Sequence, residues 1–193
     1  MPELEFWMSE YCILGDNAGE MDGNKRNLGI DPAIYLARVI HNDLAIANAT
    51  AWQWWLAVSP YDYKDGLVYI DKDKADGAYY ESKMLWALGN YSRFIRPGAV
   101  RVAAKLAGSK AEANTLLAST YIDTKKNQLI TVAVNAGIEP VKIKLAATGA
   151  TITSIRSYVT TAEEDLEPGE IVSSDSDITL SPRSVTTLVA TLQ

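Results

Sequence analysis

The sequence contains very few of the residues that build disulfides and metal sites. Its 193 residues include one cysteine, Cys12, and one histidine, His41. A single cysteine excludes an internal disulfide framework and a multi-cysteine metal site. A single histidine gives little support to a zinc site of the usual kind or to a Ser-His-Asp triad. We expect His41 to lie on a helix flank, and we expect no metal and no cofactor.

The sequence also lacks an excess of positive charge and a long apolar segment. Eighteen Lys and Arg residues face 24 Asp and Glu residues, which gives a formal charge of −6. Nucleic-acid binding requires a basic footprint, so a nucleic-acid partner is not expected. No apolar run approaches the ~18–20 residues that span a bilayer. Residues 1–5 have neither the basic nor the apolar region of a signal peptide, which taken alone would indicate a cytoplasmic protein.

Tryptophan is absent from the second half of the chain. All five tryptophans precede Pro97-Gly98, whereas the residues after this pair are rich in alternating β-branched side chains, Thr and Ser. This change in composition predicts two domains, residues 1–97 and residues 98–193.

The first half has the pattern of an α/β unit. Leu4, Phe6, Met8 and Glu10 share one face of a first strand, because side chains alternate along a strand. Asp31-Pro32 predicts an N-cap and first helical residue, and an apolar stripe predicts a helix from there to Ala47. A second, buried strand is predicted over residues 50–56, a short strand over residues 66–70 and a helix over residues 80–95. This order is typical of parallel strand pairing.

The second half has the pattern of a small antiparallel β-sandwich. Strands are predicted over residues 100–106, 116–122, 129–135, 141–145, 152–159, 178–180 and 185–192. Residues 123–127 predict a hairpin connection, and the acidic stretch at residues 163–167 is interpreted as an exposed loop. Strands at roughly 10–15-residue spacing with polar turns favour this architecture.

Glu10 is the first candidate for chemistry. A carboxylate on the apolar face of a strand is costly unless it is paired or lies at the open end of the strand. In parallel α/β barrels, the C-terminal ends of the strands carry the catalytic residues. The pattern alone leaves two interpretations, a catalytic carboxylate and a strand-end salt bridge.

Trp52, Trp54 and Trp55 crowd one short strand around Gln53. Flat aromatic faces stack on sugar rings, and the indole N–H and the Gln amide can orient a sugar by hydrogen bonds. Core packing explains such residues equally well on pattern alone. We expect at least one of the three side chains to line a cavity.

Four segments, in the right order, resemble glycoside hydrolase family 30. Residues 7–12 resemble its seventh barrel strand, in which the glutamate is the nucleophile. Residues 49–55 resemble its eighth strand, whose aromatic residues line the glycone subsite. Residues 86–98 resemble the last barrel helix and its exit into the side domain, and residues 181–188 resemble the closing strand of the side domain.

The resemblance implies an α/β plus all-β chain, with the C-terminal part of a (β/α)8 TIM barrel followed by an antiparallel β-sandwich. It implies a retaining mechanism on an oligo- or polysaccharide, with Glu10 as nucleophile and with Trp52, Trp54, Trp55 and Tyr11 binding the substrate. The acid/base glutamate belongs to the end of the family's fourth strand, which the resemblance places upstream of residue 1. The parent protein is expected to be extracellular or periplasmic. A possible partner is the N-terminal barrel segment.

The resemblance does not separate β-1,6-galactanases, β-1,6-glucanases, xylanases and glucosylceramidases. The clustered tryptophans and residues 61–63 (Tyr-Asp-Tyr) favour a polysaccharide. Two other hypotheses remain, a non-catalytic carbohydrate-binding module and an inactive truncated fragment. The lack of tryptophan in the second half disfavours a sugar-binding sandwich.

Overall fold

A computed structural model describes residues 4–72, 75–107 and 115–193. The chain divides into two compact units, Met1–Leu85 and Trp86–Gln193, and the division falls inside a helix. The expected domain boundary at residues 97 and 98 therefore stays a prediction. The described residues are mostly β-structure with two α-helices. Within these ranges, neither helix is long and apolar enough to cross a membrane.

The first unit begins with a β-α-β segment. Strand β1 (Phe6–Tyr11) pairs in parallel with β2 (Ala49–Trp54), and helix α1 (Ile30–His41) connects them. The helix buries an apolar stripe, and Asp31 in its first turn and Arg38 in its last turn complement the helix dipole. The predicted β-α-β order is confirmed.

The predicted start of the first helix is wrong, whereas its predicted end at Ala47 matches the C-cap of the helical segment. Gly29 is the N-cap, and its N–H donates to Asn27 Oδ1, so Asp31 lies inside the first turn. The last residues of the apolar stripe form a π-helical turn, Asn42–Ile46, between α1 and β2. His41 is buried at the end of α1, where desolvation lowers its pKa.

A three-stranded sheet completes the first unit. It consists of β3 (Val58–Ser59), β4 (Val68–Ile70) and β5 (Tyr79–Glu81); β3 is parallel to β4, and β5 is antiparallel to it. Of these three strands, only β4 was predicted, within the apolar run at residues 66–70. Gly66 packs closely before β4: a Cβ there would lie 2.8 Å from Ser59 Cβ.

The second unit contains two antiparallel sheets. Six strands pair in the order β11-β10-β13-β8-β7-β6, and two more pair as β9-β12. Their bounds are β6 Val100–Val102, β7 Leu116–Asp123, β8 Gln128–Asn135, β9 Val141–Ile143, β10 Ile152–Thr160, β11 Asp165–Val172, β12 Ile178–Leu180 and β13 Ser184–Leu192. One apolar cluster, to which both sheets contribute, contains Leu116, Leu188, Val141 and Leu180. The predicted hairpin between β7 and β8 is confirmed.

The interpretation of residues 163–167 as a loop is wrong. Most of this stretch begins β11, an edge strand that pairs with β10 along one side. Edge strands tolerate charge and proline, and β11 contains Glu167, Pro168 and Glu170 in place of an alternating apolar pattern.

Helix α2 (Lys83–Ser92) packs its last turns against the six-stranded sheet. Asn90, which has no exposed surface, donates from Nδ2 to Tyr158 O and Thr187 Oγ1, both at 3.0 Å, and accepts from Thr160 Oγ1 at 2.7 Å. These buried hydrogen bonds connect α2 to β10 and β13.

Candidate active site

The C-terminal ends of β1 and β2 meet at the candidate site. Tyr11 is in register with Trp54, and the N–H of Trp55 donates to Tyr11 O at 2.9 Å. Glu10 therefore lies next to the end of the tryptophan-rich strand. In a parallel sheet, this edge is where ligands bind.

The Glu10 side chain is exposed. It is adjacent in sequence to Tyr11, in a stretch of β1 where the register with β2 shifts between Met8 and Tyr11. An exposed carboxylate at the end of a parallel strand is free to approach a ligand. The exposure also removes the desolvation cost expected for a carboxylate on a buried face.

The pKa of the Cys12 thiol depends on the carboxylates near it. Burial raises the pKa of the Cys12 thiol, and the carboxylates of Glu10 and then Asp65 raise it further. A thiol whose pKa is raised holds little thiolate at neutral pH, so Cys12 is a poor nucleophile.

Tyr11, Trp52 and Trp54 form one aromatic cluster. The ring centroids of Tyr11 lie 6.0 Å from Trp52 and 6.2 Å from Trp54, and the two indoles are stacked at 17°. The Tyr11 hydroxyl is hydrogen-bonded to the Tyr35 hydroxyl of α1 at 2.7 Å, and burial followed by this bond raises the pKa of Tyr11.

The indole N–H groups of this cluster are also used within the chain. Trp52 Nε1 donates to Asp43 Oδ2 at 2.7 Å, in the turn after α1, and Trp54 Nε1 donates to Asp65 O at 2.8 Å. The cluster thus packs β1 and β2 against the α1 side. The assignment of Tyr11, Trp52 and Trp54 to substrate binding stays a prediction.

Trp55 differs from its two neighbours because 46% of its surface is exposed. It follows the last residue of β2, and its peptide bond to Leu56 is cis. Of the four residues expected to bind substrate, Trp55 presents the largest aromatic surface beside the strand ends.

The loops that follow β1 and β2 are joined directly. The N–H of Lys64 donates to Gly23 O at 2.9 Å, and the N–H of Arg26 donates to Asp62 Oδ1 at 2.9 Å. Gly23 packs closely within the first of these loops, since a Cβ there would lie 2.5 Å from Ile13 O. These bonds fix the two loops beside the strand ends.

Sequence reasoning missed two features of these loops. Asp65 is 3% exposed, and its backbone oxygen also accepts from Leu56 N at 2.6 Å, so it holds the end of β2. The Arg26 guanidinium lies 5.6 Å from the Tyr69 ring centroid and 5.4 Å from that of Tyr80. Neither feature has a local sequence signal. Arg26 is about 40–55 residues from Tyr69 and Tyr80 in the sequence, and Asp65 is buried by its own loop.

The described part of the chain contains no group of three His, Cys, Asp or Glu side chains that could hold a metal ion. The strand ends carry the exposed carboxylate of Glu10 and the exposed ring of Trp55.

Part of the chain is similar to known proteins in sequence. Residues 1–69 match the model of O-glycosyl hydrolase family 30. Glucuronoxylanase XynC of Bacillus subtilis is 23% identical over 167 residues, which cover 86% of this chain and 34% of the relative. This chain thus spans about a third of the length of that curated relative.

Two crystal structures are similar in fold. A conserved exported protein from Bacteroides fragilis is 36% identical, with a TM-score of 0.78, over 96% of this chain and 38% of that one. A family-30 endoxylanase from Clostridium papyrosolvens C71 is 24% identical, with a TM-score of 0.71, over 97% of this chain and 42% of that one. Residues 1–69 are therefore similar to O-glycosyl hydrolase family 30, and these comparisons support a resemblance of the chain to a C-terminal fragment of the family's longer enzymes.

Proposed function

We propose that this chain is the C-terminal part of a retaining O-glycosyl hydrolase that cleaves β-glycosidic bonds in a polysaccharide. Residues 1–97 would supply the last strands and helices of a (β/α)8 barrel, and residues 98–193 its β-sandwich side domain. The parallel β-α-β segment and the two antiparallel sheets support this division.

Glu10 is the proposed nucleophile. The observation that carries this assignment is its exposed carboxylate at the C-terminal end of a parallel strand, in the segment that matches the family. In a retaining mechanism, the nucleophile attacks the anomeric carbon while a second carboxyl group, ~5–5.5 Å away, protonates the leaving oxygen. The same group then removes a proton from the water that hydrolyses the glycosyl-enzyme.

The acid/base carboxyl is proposed to lie on the fourth barrel strand, in the part of the longer enzyme that precedes these residues. General acid catalysis typically increases the rate of such a reaction by roughly 10²–10⁴-fold. The 193 residues alone are therefore expected to be inactive, whereas the longer enzyme is expected to be active.

Replacement of Glu10 tests the assignment. In the longer enzyme, Glu10→Gln keeps the size of the side chain but replaces the anionic carboxylate by a neutral, weakly nucleophilic amide, so kcat should fall by roughly 10³-fold or more. The matched control is Glu163→Gln, which makes the same chemical change at an exposed position of the second unit. Equal activity of the Glu10 and Glu163 variants would refute the nucleophile.

The proposed substrate is a β-linked polysaccharide, either a xylan or a β-1,6-galactan or β-1,6-glucan. The activities named for two similar proteins, a glucuronoxylanase and an endoxylanase, favour xylan. The exposed aromatic surfaces of Trp55, Tyr61 and Tyr63 are suited to stacking on sugar rings. A panel of these three polymers, with reducing ends measured after incubation, would identify the substrate.

A second candidate function is that of a non-catalytic or inactive fragment that completes a barrel with the N-terminal barrel segment. Within the described ranges, β1 pairs with β2 alone, and Leu4, Phe6 and Trp7 along it are exposed. Such a strand edge is a template for further pairing. Hydrolysis that appears only after the two segments are mixed would support complementation.

The proposed location of the longer enzyme is outside the cytoplasm, in the periplasm or the medium. The similar protein from Bacteroides fragilis is described as exported. A polysaccharide too large to enter the cell would also be reached there.

A further inference from the structure

The second unit carries a cationic aromatic surface, to which the six-stranded sheet and the residues after helix α2 contribute. Phe94 and Tyr158 form a ring pair with centroids 4.6 Å apart and planes tilted by 44°. The Arg93 guanidinium lies 5.7 Å from both ring centroids, and that of Arg156 lies 5.7 Å from the Tyr158 centroid. With Ile171, these four residues are here named the arginine-tyrosine patch.

The sheet fixes the positions of the patch residues. Arg156 and Tyr158 are two residues apart on β10, so their side chains share one face of the sheet. Arg156 is in register with Ile171 of β11, which is 65% exposed, and its Nε donates to Gly169 O at 3.2 Å. The backbone of Tyr158 is held by Asn90. The patch is thus built on regular structure.

The two guanidinium groups keep donors available. Neither Arg93 nor Arg156 forms an ion pair in the ranges that the structure describes, although the chain has a net charge of −6. Stacking on an aromatic ring uses the face of a guanidinium, whereas its N–H donors lie in the plane and match a carboxylate in a bidentate manner. Both arginines are exposed, so these donors face solvent.

We propose that the arginine-tyrosine patch binds the carboxylates of uronic acid groups on an acidic polysaccharide. The guanidinium groups would pair with the carboxylates, and the Tyr158 ring and the Ile171 side chain would contact the apolar faces of the sugar rings. The polysaccharide class rests on the proposed function, but binding at the patch requires no hydrolysis. The patch would hold the polymer near the enzyme between cleavage events.

Binding of glucuronoxylan to the 193-residue protein tests the proposal, with retardation in native gels that contain the polymer as the readout. The double variant Arg93→Gln/Arg156→Gln should bind about tenfold more weakly, since each lost charge-assisted bond weakens binding several-fold. The matched control is Lys105→Gln/Lys125→Gln, which makes the same change in net charge at exposed positions of the same unit. Circular dichroism checks that all variants are folded.

The same gels with carboxyl-reduced glucuronoxylan isolate the role of the uronate. The wild-type protein should bind the carboxyl-reduced polymer about as weakly as the double arginine variant binds glucuronoxylan. Reduction leaves the sugar backbone of the polymer unchanged and removes only its negative charge. Equal weakening by the two double variants, or unchanged binding by the arginine variant, would overturn the proposal. Binding of dextran sulfate as tight as that of glucuronoxylan would overturn the uronate as ligand and indicate a general anion surface.

Since these measurements contain no hydrolysis step, they are independent of Glu10. If the longer enzyme showed no hydrolysis but the patch still bound the polymer, the protein would be a glycan-binding protein. If the patch failed to bind the polymer but hydrolysis was observed, the hydrolase proposal would stand.

Discussion

The two units of the chain differ in how completely their strands are enclosed. In the second unit, residues of both sheets form a cluster in which Leu188 and Ala190 have no exposed surface. In the first unit, α1 and the loops bury residues such as Leu36 and Tyr69, but four of the six residues of β1 are exposed. The second unit thus contains a core of its own. Strands β1 and β2 instead leave apolar surface exposed, as is typical of strands that lie next to further strands in a larger sheet.

This difference bears on the chemistry. The residues assigned to catalysis and substrate binding all belong to the unit with the less enclosed strands, and the network from Tyr35 through Tyr11 to the indoles is what positions the strand ends. The second unit would provide stability and, through the arginine-tyrosine patch, contact with polymer. Three substitutions test the contrast.

The largest expected difference between the two units is in the loss of stability when a large apolar side chain is truncated. Leu188→Ala creates a cavity at the centre of the second unit and should lower the free energy of unfolding by about 2–5 kcal/mol. Phe6→Ala, on the exposed strand β1, should cost less than about 1.5 kcal/mol. Urea denaturation measures both. Equal costs would contradict the view that β1 lacks an enclosed core in this chain.

Tyr35→Phe tests the network of the first unit at smaller scale. It removes the hydroxyl that bonds to Tyr11 and keeps the ring, so the free energy of unfolding should fall by about 1 kcal/mol. Tyr79→Phe, on the exposed strand β5, is the control and should have no measurable effect. A Tyr35 variant as stable as the control would show that the hydroxyl pair contributes nothing.

The smallest effect is the rate at which Cys12 is alkylated. Glu10 and Asp65 raise the pKa of the thiol, so Glu10→Gln should lower this pKa and increase the thiolate fraction at a given pH. Alkylation by iodoacetamide, followed from pH 7 to 10, should therefore be faster, with a profile displaced to lower pH. Glu81→Gln, on β5, should leave the profile in place. An unchanged profile for Glu10→Gln would mean that its carboxylate is not near Cys12.

Much of the fold followed from residue patterns, and the failures have physical causes. Apolar and β-branched residues located β7, β8, β10 and β13. Strands β8 and β13 are buried on both faces over most of their length, so their patterns are nearly continuous rather than alternating. Strand β11 was missed because an edge strand is held by hydrogen bonds to one neighbour and needs no apolar alternation. The start of α1 was misplaced because Gly29 caps it without a side-chain bond.

The candidate site was predictable only in part. The sequence located Glu10 and the tryptophans, since both stand in short segments with a recognisable order. It could not separate Trp55, which is exposed, from Trp52 and Trp54, whose N–H groups bond to Asp43 and Asp65. Those partners are 9 and 11 residues away and depend on how the loops fold back. The arginine-tyrosine patch likewise joins residues about 60 positions apart.

The central claim is that Glu10 is the nucleophile of a retaining glycosidase, and covalent trapping tests it most directly. The longer enzyme would be incubated with a 2-deoxy-2-fluoro glycoside of its substrate, which slows hydrolysis of the glycosyl-enzyme, and digested for mass spectrometry. The account predicts that the sugar is attached to Glu10 and that Glu10→Gln gives no adduct. A sugar attached to any other carboxylate, or turnover with inversion and no adduct, would contradict it.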